Sequence, residues 1–456
     1  VDLGLVSGLM NWSITDDRFA ETLAFAKIDG IDIEFEITPL DTADHPNSVE
    51  IFLEGESGKT LTVAAKSIGG GLVEFSQING WPVHITGKEY VTLIKISRAV
   101  HSIVEVILET SPDLRSEFIS LSGDEEIVTC RSSSSLDQTT MASLSTLTGV
   151  QTILTCPPEF YAKKGETLFS SSAEMVSLSE QKKCSLGNLI LQYEAALLGL
   201  SEEETLQEMV MRYEIMRESA ESGLIDKNVR MQLLNPTART VFQAEKTGNL
   251  PIGGIHTRSA ARALSVLHVS NSMGVICAAP TGASAGVIPG VIVSLAEDFG
   301  LTPKEAAMLL FAAGGIGLIV SNRATFAAEI AGCQVEIGAA SAMAAASVVE
   351  WAGGSAQLAV DAAAISFQNT MGSVCDLVQG ICEIPCHTRN AASASAAFTN
   401  ADLIMGGYEN SVPLDETIDA VFSVGKMIPS ELRVTALGGL ALAPSARSMN
   451  NRDSES

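Results

Sequence analysis

The stretch ALSVLHVSNSMGVICAAPTGASAGVIPGVIVSLA, residues 263–296, contains no Asp, Glu, Lys or Arg. A single membrane-spanning helix needs about 20 continuous apolar residues. This stretch is interrupted by His268, Asn271, two prolines and four glycines, which is typical of irregular backbone between buried helices. Glycines at 314, 315 and 317 interrupt a second apolar run, residues 306–322, in the same way. We therefore predict a large all-α core, with an all-α membrane protein or transporter as the alternative.

The composition limits the classes of partner. The chain has 456 residues, enough for two or three domains with buried cores. Charged residues make up 18% and hydrophobic residues 46%, a balance typical of globular proteins. The formal net charge of −26 argues against nucleic acid, because phosphate binding needs clustered Lys and Arg, and anionic membrane surfaces would repel it. A small zwitterionic substrate stays compatible with this charge, since its site can be locally basic.

The eight cysteines are scattered along the chain and form no dense disulfide framework. Residues 1–4 have neither the basic region nor the long apolar region of a signal peptide. We therefore predict a cytoplasmic protein. In a reducing compartment, grouped cysteines more often bind metals or act in catalysis than form disulfides.

The first 80 residues alternate helix and strand signals. Residues 16–28 have the spacing of a helix, and residues 31–37 alternate apolar and acidic side chains as a half-buried strand does. Glycine-containing turns separate three further predicted strands, at residues 48–53, 60–68 and 72–75. Residues 1–80 are therefore predicted to form a small α/β module.

Residues 81–150 are predicted to hold a second small module and a linker. A strand at 90–96, a helix at 99–110 and strands at 118–121 and 126–130 give a βαββ run, which resembles part of an ACT-like regulatory module. The serine-rich segment 131–135 is predicted to be the linker, and residues 171–180 a second flexible stretch.

From residue 183 to residue 446 the pattern is helical. Residues 189–198 and 202–218 are amphipathic, and Ser201 with Glu204 forms a capping box before the second of them. The sequence therefore predicts an α+β chain, in which the small N-terminal α/β module and the ACT-like βαββ module precede a large all-α domain. Residues 447–456 are predicted to be a frayed polar tail.

Three short motifs near the C-terminal end carry cysteines that could share one inorganic centre. Three thiolates would leave one metal position open, as a catalytic metal requires. Their separations differ from common zinc and ferredoxin spacings, so packed thiols stay the alternative, and Cys382 is not excluded as a further ligand. The motifs are Gly332-Cys333-Gln334-Val335-Glu336, Val374-Cys375-Asp376 and Pro385-Cys386-His387-Thr388-Arg389-Asn390.

These motifs, with two others, resemble the catalytic domain of bacterial iron–sulfur-dependent L-serine dehydratases (L-serine ammonia-lyases). Residues 1–80 resemble the β-type module of that family, and residues 81 to about 130 its ACT-like segment. The chain is thus similar to the two-subunit form with β and α parts fused, lacking the upstream part of the β module. The matching stretches of the helical domain keep the family's order and are residues 272–281, 286–290, 332–334, 369–376 and 385–390.

The resemblance implies a lyase that converts L-serine to pyruvate and ammonia without pyridoxal phosphate, and a homodimer or higher homo-oligomer. Cys333, Cys375 and Cys386 would hold a [4Fe–4S] cluster by three of its irons, and the fourth would act as a Lewis acid on the substrate. For Ser272 and the loop at residues 281–286 the structural alternative is a helix–loop–helix corner that needs small residues. For Arg389 it is a surface salt bridge. The candidate catalytic residues are Ser272, Thr281, Ser284, Asn322, Arg389 and Asn390.

The sequence departs from the family at several points. A Ser-Ser-Ser-His-Thr motif and a Gly-His-Gly-Thr motif, which supply active-site groups in the family, are absent, and Leu377 stands where proline is usual. A catalytically impaired member of the family is therefore one alternative function. The other is an L-cysteine desulfidase that uses the same cluster. His45, His256 and His387 are candidates for the general base, and the sequence assigns none of them.

Overall fold

The computed structural model describes residues 2–40, 43–111, 113–121, 123–225 and 229–451. Two four-stranded antiparallel sheets lie between residues 48 and 156, and most of the chain beyond them is helical. The predicted α+β fold, with a small α/β region before a large helical region, is confirmed.

The bounds of the regular elements are as follows. The strands are β1 (Ser48–Glu54), β2 (Thr60–Gly69), β3 (Leu72–Ile78), β4 (Trp81–Ile85), β5 (Tyr90–Ser97), β6 (Arg115–Ser120), β7 (Glu125–Ser132), β8 (Val150–Cys156), β9 (Cys375–Asp376) and β10 (Arg433–Thr435). The α-helices are α1 (Asp2–Leu9), α2 (Thr22–Ile28), α3 (His101–Glu109), α4 (Gln138–Thr146), α5 (Ser172–Lys182), α6 (Leu186–Leu198), α7 (Glu202–Ile225), α8 (Ala238–Lys246), α9 (Ile255–Asn271), α10 (Val287–Phe299), α11 (Pro303–Arg323), α12 (Ala328–Ala331), α13 (Ile337–Trp351), α14 (Ala356–Thr370), α15 (Cys386–Met405), α16 (Leu414–Met427) and α17 (Pro444–Arg447).

The first sheet contains β1 to β4 in sequence order, each strand antiparallel to the next. The strands predicted at 48–53, 60–68 and 72–75 are β1, β2 and β3. The strand predicted at residues 31–37 is wrong, because this segment is irregular and leaves Phe35 and Ile37 exposed. An alternating pattern gives a strand only where a neighbouring strand and a core face complete it.

The second sheet has the order β6-β7-β5-β8, with all pairs antiparallel, and α3 and α4 complete a βαββαβ unit. The linker predicted at residues 131–135 is wrong, because β7 continues to Ser132 and α4 begins soon after it. The Asp137 side chain accepts hydrogen bonds from the backbone N–H groups of Thr139 and Thr140 and so starts α4. Serine-rich composition alone therefore did not distinguish a helix start from a linker.

The flexible stretch predicted at residues 171–180 is also wrong, since most of it forms α5. Ser171 caps this helix by accepting a hydrogen bond from the Glu174 N–H, and Met175 on its inner face is fully buried. The capping box predicted for α7 is confirmed, because the Glu204 carboxylate accepts from the backbone N–H of Ser201 at 2.9 Å while the Ser201 hydroxyl accepts from Glu204 N–H at 3.2 Å.

The helical region packs around α13, in which every residue from Ile337 to Val349 is buried. Small residues let the neighbouring helices approach one another closely. A Cβ at Gly290 in α10 would lie 2.7 Å from the Ser259 carbonyl oxygen in α9, so only glycine fits there without a shift. Among the described residues one helix, α11, is long and apolar enough to cross a membrane, but 67% of its apolar window is buried inside the protein, as in a core helix.

The C-terminal segment folds back onto the helical region. The Gln379 side-chain amide donates to the carbonyl oxygens of Ala446 and Met449, so the first residues of the predicted polar tail are held in place. Residues 452–456, the end of that predicted tail, lie outside the described residues.

Candidate metal centre

Three separate segments bring the predicted cysteines into one buried region. Cys333 begins a short 3₁₀ turn after α12, Cys375 begins the short strand β9, and Cys386 is the first residue of α15. Each thiol-bearing residue is at most 3% exposed. Gly332 makes the approach possible, because its φ of +76° is left-handed and a Cβ would lie 2.8 Å from the Ser373 carbonyl oxygen.

Two of the three thiols stand together with a carboxylate. One ligand atom each from Cys333, Glu336 and Cys375 lies within 4.8 Å of the others, and all three residues are buried. Sulfur and carboxylate oxygen are donors that transition metals accept. This group could therefore hold a metal ion.

Cys386 lies beside this group rather than within it. Among the described residues its sulfur does not join the set whose atoms are all within 4.8 Å. Its thiol shares a hydrogen bond with Cys382, and the charges of Cys382, Cys333 and Cys375 all raise the pKa of Cys386. Three buried thiols and the half-buried thiol of Cys382 are thus close enough to interact, which is the donor chemistry that an iron–sulfur cluster requires.

A half-buried cation favours the thiolate form at this site. The hydrogen bond from Cys375, and after it the charge of Arg389, lower the pKa of Cys333 to about 7. The Arg389 guanidinium donates to the Val374 carbonyl oxygen at 2.6 Å and to Asp376 Oδ1 at 2.9 Å. Arg389 therefore faces a ligand thiol while two fixed acceptors hold it, and the surface salt bridge considered from the sequence does not describe it.

Glu336 is a buried carboxyl that the sequence did not single out. Burial, and after it the nearby Cys333, raises the pKa of Glu336 well above its ordinary value, and the Thr281 hydroxyl hydrogen-bonds its side chain. Thr281 thus reaches the metal group from another segment. The only sequence signal was the position of Glu336, three residues after Cys333 at the start of α13.

The loop at residues 281–286 is fixed to α15. The Thr281 and Ser284 hydroxyls are 3.0 Å apart, and Ser284 is fully buried. The Asn390 side chain accepts from the Gly286 N–H at 3.1 Å and donates to the Ala283 carbonyl oxygen at 2.7 Å. Asn390 therefore holds the loop against the helix that carries Cys386.

Two predicted site residues have other surroundings. The Ser272 hydroxyl accepts from the Arg230 N–H at 2.9 Å and donates to the Arg230 carbonyl oxygen at 3.1 Å, so it joins two backbone segments. Asn322 is exposed at the C-terminal end of α11. The structure gives neither residue a contact with the metal group in the described part of the chain, and their catalytic roles stay predictions.

Two buried polar residues position the cysteine segments, and the sequence interpretation missed both. Gln334 donates to the Ala331 carbonyl oxygen and accepts from the Gly372 N–H, each at 2.8 Å, which joins the Cys333 turn to the segment before Cys375. The Glu383 carboxylate accepts three backbone N–H groups of residues 232–234 at 2.6–3.0 Å. The signal available was a polar residue directly after a cysteine, Cys333 for Gln334 and Cys382 for Glu383.

The histidines considered as bases differ in their surroundings. His387 packs against His268 with ring centroids 5.4 Å apart, and burial lowers the pKa of His387 to about 3. Its Nε2 is 3.2 Å from the Asn271 side-chain nitrogen. His256 lies 3.2 Å from the Ser395 carbonyl oxygen, and His45 Nδ1 accepts from the backbone N–H of residue 47 within the N-terminal region.

Comparison with known proteins identifies relatives of the helical region. Residues 172–441 match the family described as "Serine dehydratase alpha chain". The chain is 33% identical over 285 residues to the probable L-serine dehydratase, alpha chain, of Bacillus subtilis (strain 168), covering 62% of this chain and 95% of that relative. It is 34% identical over 275 residues to the L-serine dehydratase, alpha chain, of Peptoniphilus asaccharolyticus, covering 60% and 94%.

A longer relative matches over the same region. The chain is 30% identical over 285 residues to L-serine dehydratase TdcG of Escherichia coli (strain K12), and the match covers 60% of this chain and 62% of that protein. The family match begins at residue 172, so it does not include the two N-terminal sheets.

Proposed function

The chain belongs to the serine dehydratase alpha chain family, and from that premise we propose that it is an L-serine ammonia-lyase that releases pyruvate and ammonia. The single observation that supports this most is the convergence of buried thiols and a carboxyl from three segments, beside the half-buried guanidinium of Arg389. A site of this kind suits a metal-assisted elimination, whose difficult step is the departure of hydroxide.

We propose that Cys333, Cys375 and Cys386 hold a [4Fe–4S] cluster. Such a cluster, held by three thiolates, supplies an iron without a protein ligand that acts as a Lewis acid on the hydroxyl and carboxylate of serine. The fit is supported by the burial of all three thiols and by the hydrogen bonds that Cys333 and Cys386 share with neighbouring thiols. Thiols that share protons in this way would release them when a metal binds.

The chain's own residues divide into those that tune the ligands and those that shape the substrate site. Arg389 stabilises the Cys333 thiolate, and Asp376 with the Val374 carbonyl oxygen keeps it there. The loop that starts at Thr281 leaves room for substrate, because Gly282 is exposed and a Cβ there would meet nothing within 4 Å. We propose that this loop receives the serine carboxylate.

The N-terminal sheets form the remaining part of the proposal. We propose that residues 1–80 are the β-type module of the family and that the βαββαβ unit is its ACT-like module. The strand order β6-β7-β5-β8 with two helices, a ferredoxin-like arrangement, supports the second assignment. We also propose a homodimer or higher homo-oligomer, which light scattering of the purified chain would test.

The test of the proposed function separates cluster binding from turnover. The chain is purified and reconstituted with iron and sulfide without oxygen, and iron content, visible absorption and pyruvate release from L-serine are measured. We expect about four irons per chain, with loss of both iron and pyruvate release in Cys333→Ser, Cys375→Ser and Cys386→Ser. Cys156→Ser, at a half-buried thiol of the second sheet, is the matched control and should behave as the unchanged chain.

Two further arms decide between alternatives. Cys382→Ser should retain iron if Cys386 is the ligand, and loss of iron there together with its retention in Cys386→Ser would reverse the assignment. L-Cysteine replaces L-serine in a parallel assay, and sulfide release that exceeds pyruvate release from serine would favour a desulfidase. A chain that takes up no iron would refute the cluster proposal.

A further inference from the structure

A cavity of about 570 Å³ lies where the N-terminal sheets meet the helical region. Its walls come from the glycine loop after β2, residues 86–88 after β4, residues 159–163 after β8, and helices α6, α7 and α11. The volume falls in the range of small-molecule sites. Much of its lining is apolar and includes Leu197, Phe311, Leu318, Phe326 and Met343.

The charged residues of this cavity are balanced but not joined to one another. Lys88, Glu159, Lys163 and Glu194 line it, and the described residues form no ion pair with any of these four. The other charged lining residues, Arg212 and Glu208, pair with each other at 3.0 Å. Glu194 and Lys163 interact only at a distance. Two cations and two carboxylates without a close ion pair suit a ligand that carries both charges rather than a simple anion or cation.

The backbone fixes where these charges stand. The Lys163 N–H donates to the Lys88 carbonyl oxygen at 3.1 Å, so the two lysines share one edge of the cavity. The N–H groups of residues 164 and 165 both donate to the Leu197 carbonyl oxygen at 2.9 Å, which holds this edge against the end of α6. Glu194 projects from α6 itself, about one helical turn before Leu197.

These charged groups are only partly removed from water, since Glu194 is half-buried and Lys163 is exposed. Burial raises the pKa of Glu194 and lowers the pKa of Lys163. A partly desolvated carboxylate and ammonium without a tight partner are stabilised by any ligand that supplies the opposite charges. Serine would satisfy those charges, but its small polar side chain would leave the half-buried apolar side chains of Leu318 and Phe326 uncovered.

We propose that this cavity binds a free α-amino acid with a large apolar side chain. The carboxylate of the ligand lies between Lys88 and Lys163, its ammonium group contacts Glu194, and its side chain packs on Leu318 and Phe326. The site is separate from the thiols, although Pro280 in its wall directly precedes Thr281.

L-Leucine is the probe, and binding to the full chain is measured by isothermal titration calorimetry without any cluster reconstitution. We expect saturable binding, with 4-methylpentanoate and 3-methylbutylamine at least about tenfold weaker, because each lacks one charge that a hydrogen-bonded partner would recognise. L-Serine should bind at least about tenfold more weakly than L-leucine for want of apolar contact. Since activity is not the readout, failure here leaves the proposed lyase function untouched.

Two variants test the position of the ligand. Glu194→Gln should weaken L-leucine binding at least about tenfold, while Glu180→Gln, an exposed carboxyl on α5, should not. Gly314 of α11 lines the cavity, and a Cβ there meets nothing within 4 Å, so Gly314→Leu should fill the cavity and abolish binding while the chain still folds. No binding of L-leucine up to about 10 mM, or unchanged binding in Glu194→Gln and Gly314→Leu, would overturn the proposal.

Discussion

The contact between the first sheet and the helical region depends on Gly69. This residue ends β2 and forms an isolated parallel bridge with Phe326, a few residues before Cys333. Its φ is +92°, and a Cβ would lie 2.5 Å from the Ala327 nitrogen and 2.7 Å from the Phe326 carbonyl carbon. Backbone atoms cannot rotate away as side chains can. Gly71 has a similar φ of +77° but open space around it, so it provides the matched control.

The difference in stability between the Gly69→Ala and Gly71→Ala variants measures the contact between the first sheet and the helical region. Gly71→Ala should lower the free energy of unfolding by about 1–2 kcal/mol, because a residue with a Cβ is strained in left-handed backbone. Gly69→Ala carries the same strain and an overpacking cost of about 1–3 kcal/mol, because the loop must move away from the chain ahead of α12. At roughly 2–4 °C per kcal/mol, the melting temperature of Gly69→Ala should be about 2–12 °C below that of Gly71→Ala.

Differential scanning calorimetry of the two variants and the unchanged chain gives this difference directly. Hydrogen exchange provides a local measure, because amides of residues 326–331 should exchange faster in Gly69→Ala and not in Gly71→Ala. Equal melting temperatures and equal exchange in this segment would refute the reasoning that the glycine loop is wedged against the helical region.

Two further substitutions test buried carboxylates, with the exposed Glu409→Gln as their control. The N–H groups of residues 232–234 divide between the two oxygens of Glu383, so Glu383→Gln places an amide NH₂ against at least one of these donors. It should lower the free energy of unfolding by about 2–4 kcal/mol, seen as a lower melting temperature; a value equal to the control would contradict it. His101, hydrogen-bonded at 2.6 Å, holds the pKa of Glu126 below its usual range, so this stabilisation is complete above the unfolded-state pKa of about 4.3 and is lost as the pH falls through the folded-state pKa. Exchange of β7 amides should therefore accelerate on acidification, and less steeply in Glu126→Gln; parallel pH profiles in both chains would speak against it.

The predictions that succeeded rested on patterns with a local cause. The α+β order, three strands of the first sheet and the capping box before α7 follow from side-chain period and capping chemistry, which the nearby sequence contains. The errors came where the local pattern needed a distant partner. Residues 31–37 have a strand's alternation without a neighbouring strand, and residues 171–180 look flexible until α5 packs its buried face against the helical region.

The candidate site likewise contains residues that local motifs identify and residues whose importance appears only in the folded chain. The motifs identified Cys333 and Cys375, and their sulfur atoms lie within 4.8 Å of each other in the structure. Glu336 could not be recognised in advance, because its significance comes from burial beside Thr281, a residue 55 positions earlier in the sequence. The sequence made Arg389 a candidate catalytic residue because it follows the third cysteine motif, and its hydrogen bonds to Asp376 and Val374 show how it is held toward a ligand thiol.

Asp376, directly after Cys375, is better explained as a support than as a metal ligand. One of its carboxylate oxygens accepts from Arg389, and the other accepts from the Leu440 N–H at 2.8 Å, so both oxygens are already engaged. Its residue is 3% exposed, and a buried carboxylate is stable only when it is paired in this way. Because Leu440 belongs to the C-terminal segment, this segment reaches the thiols through Asp376 and Arg389. The charge beside Cys333 thus depends on a part of the chain more than 100 positions away in sequence, which no local motif around the cysteines reveals.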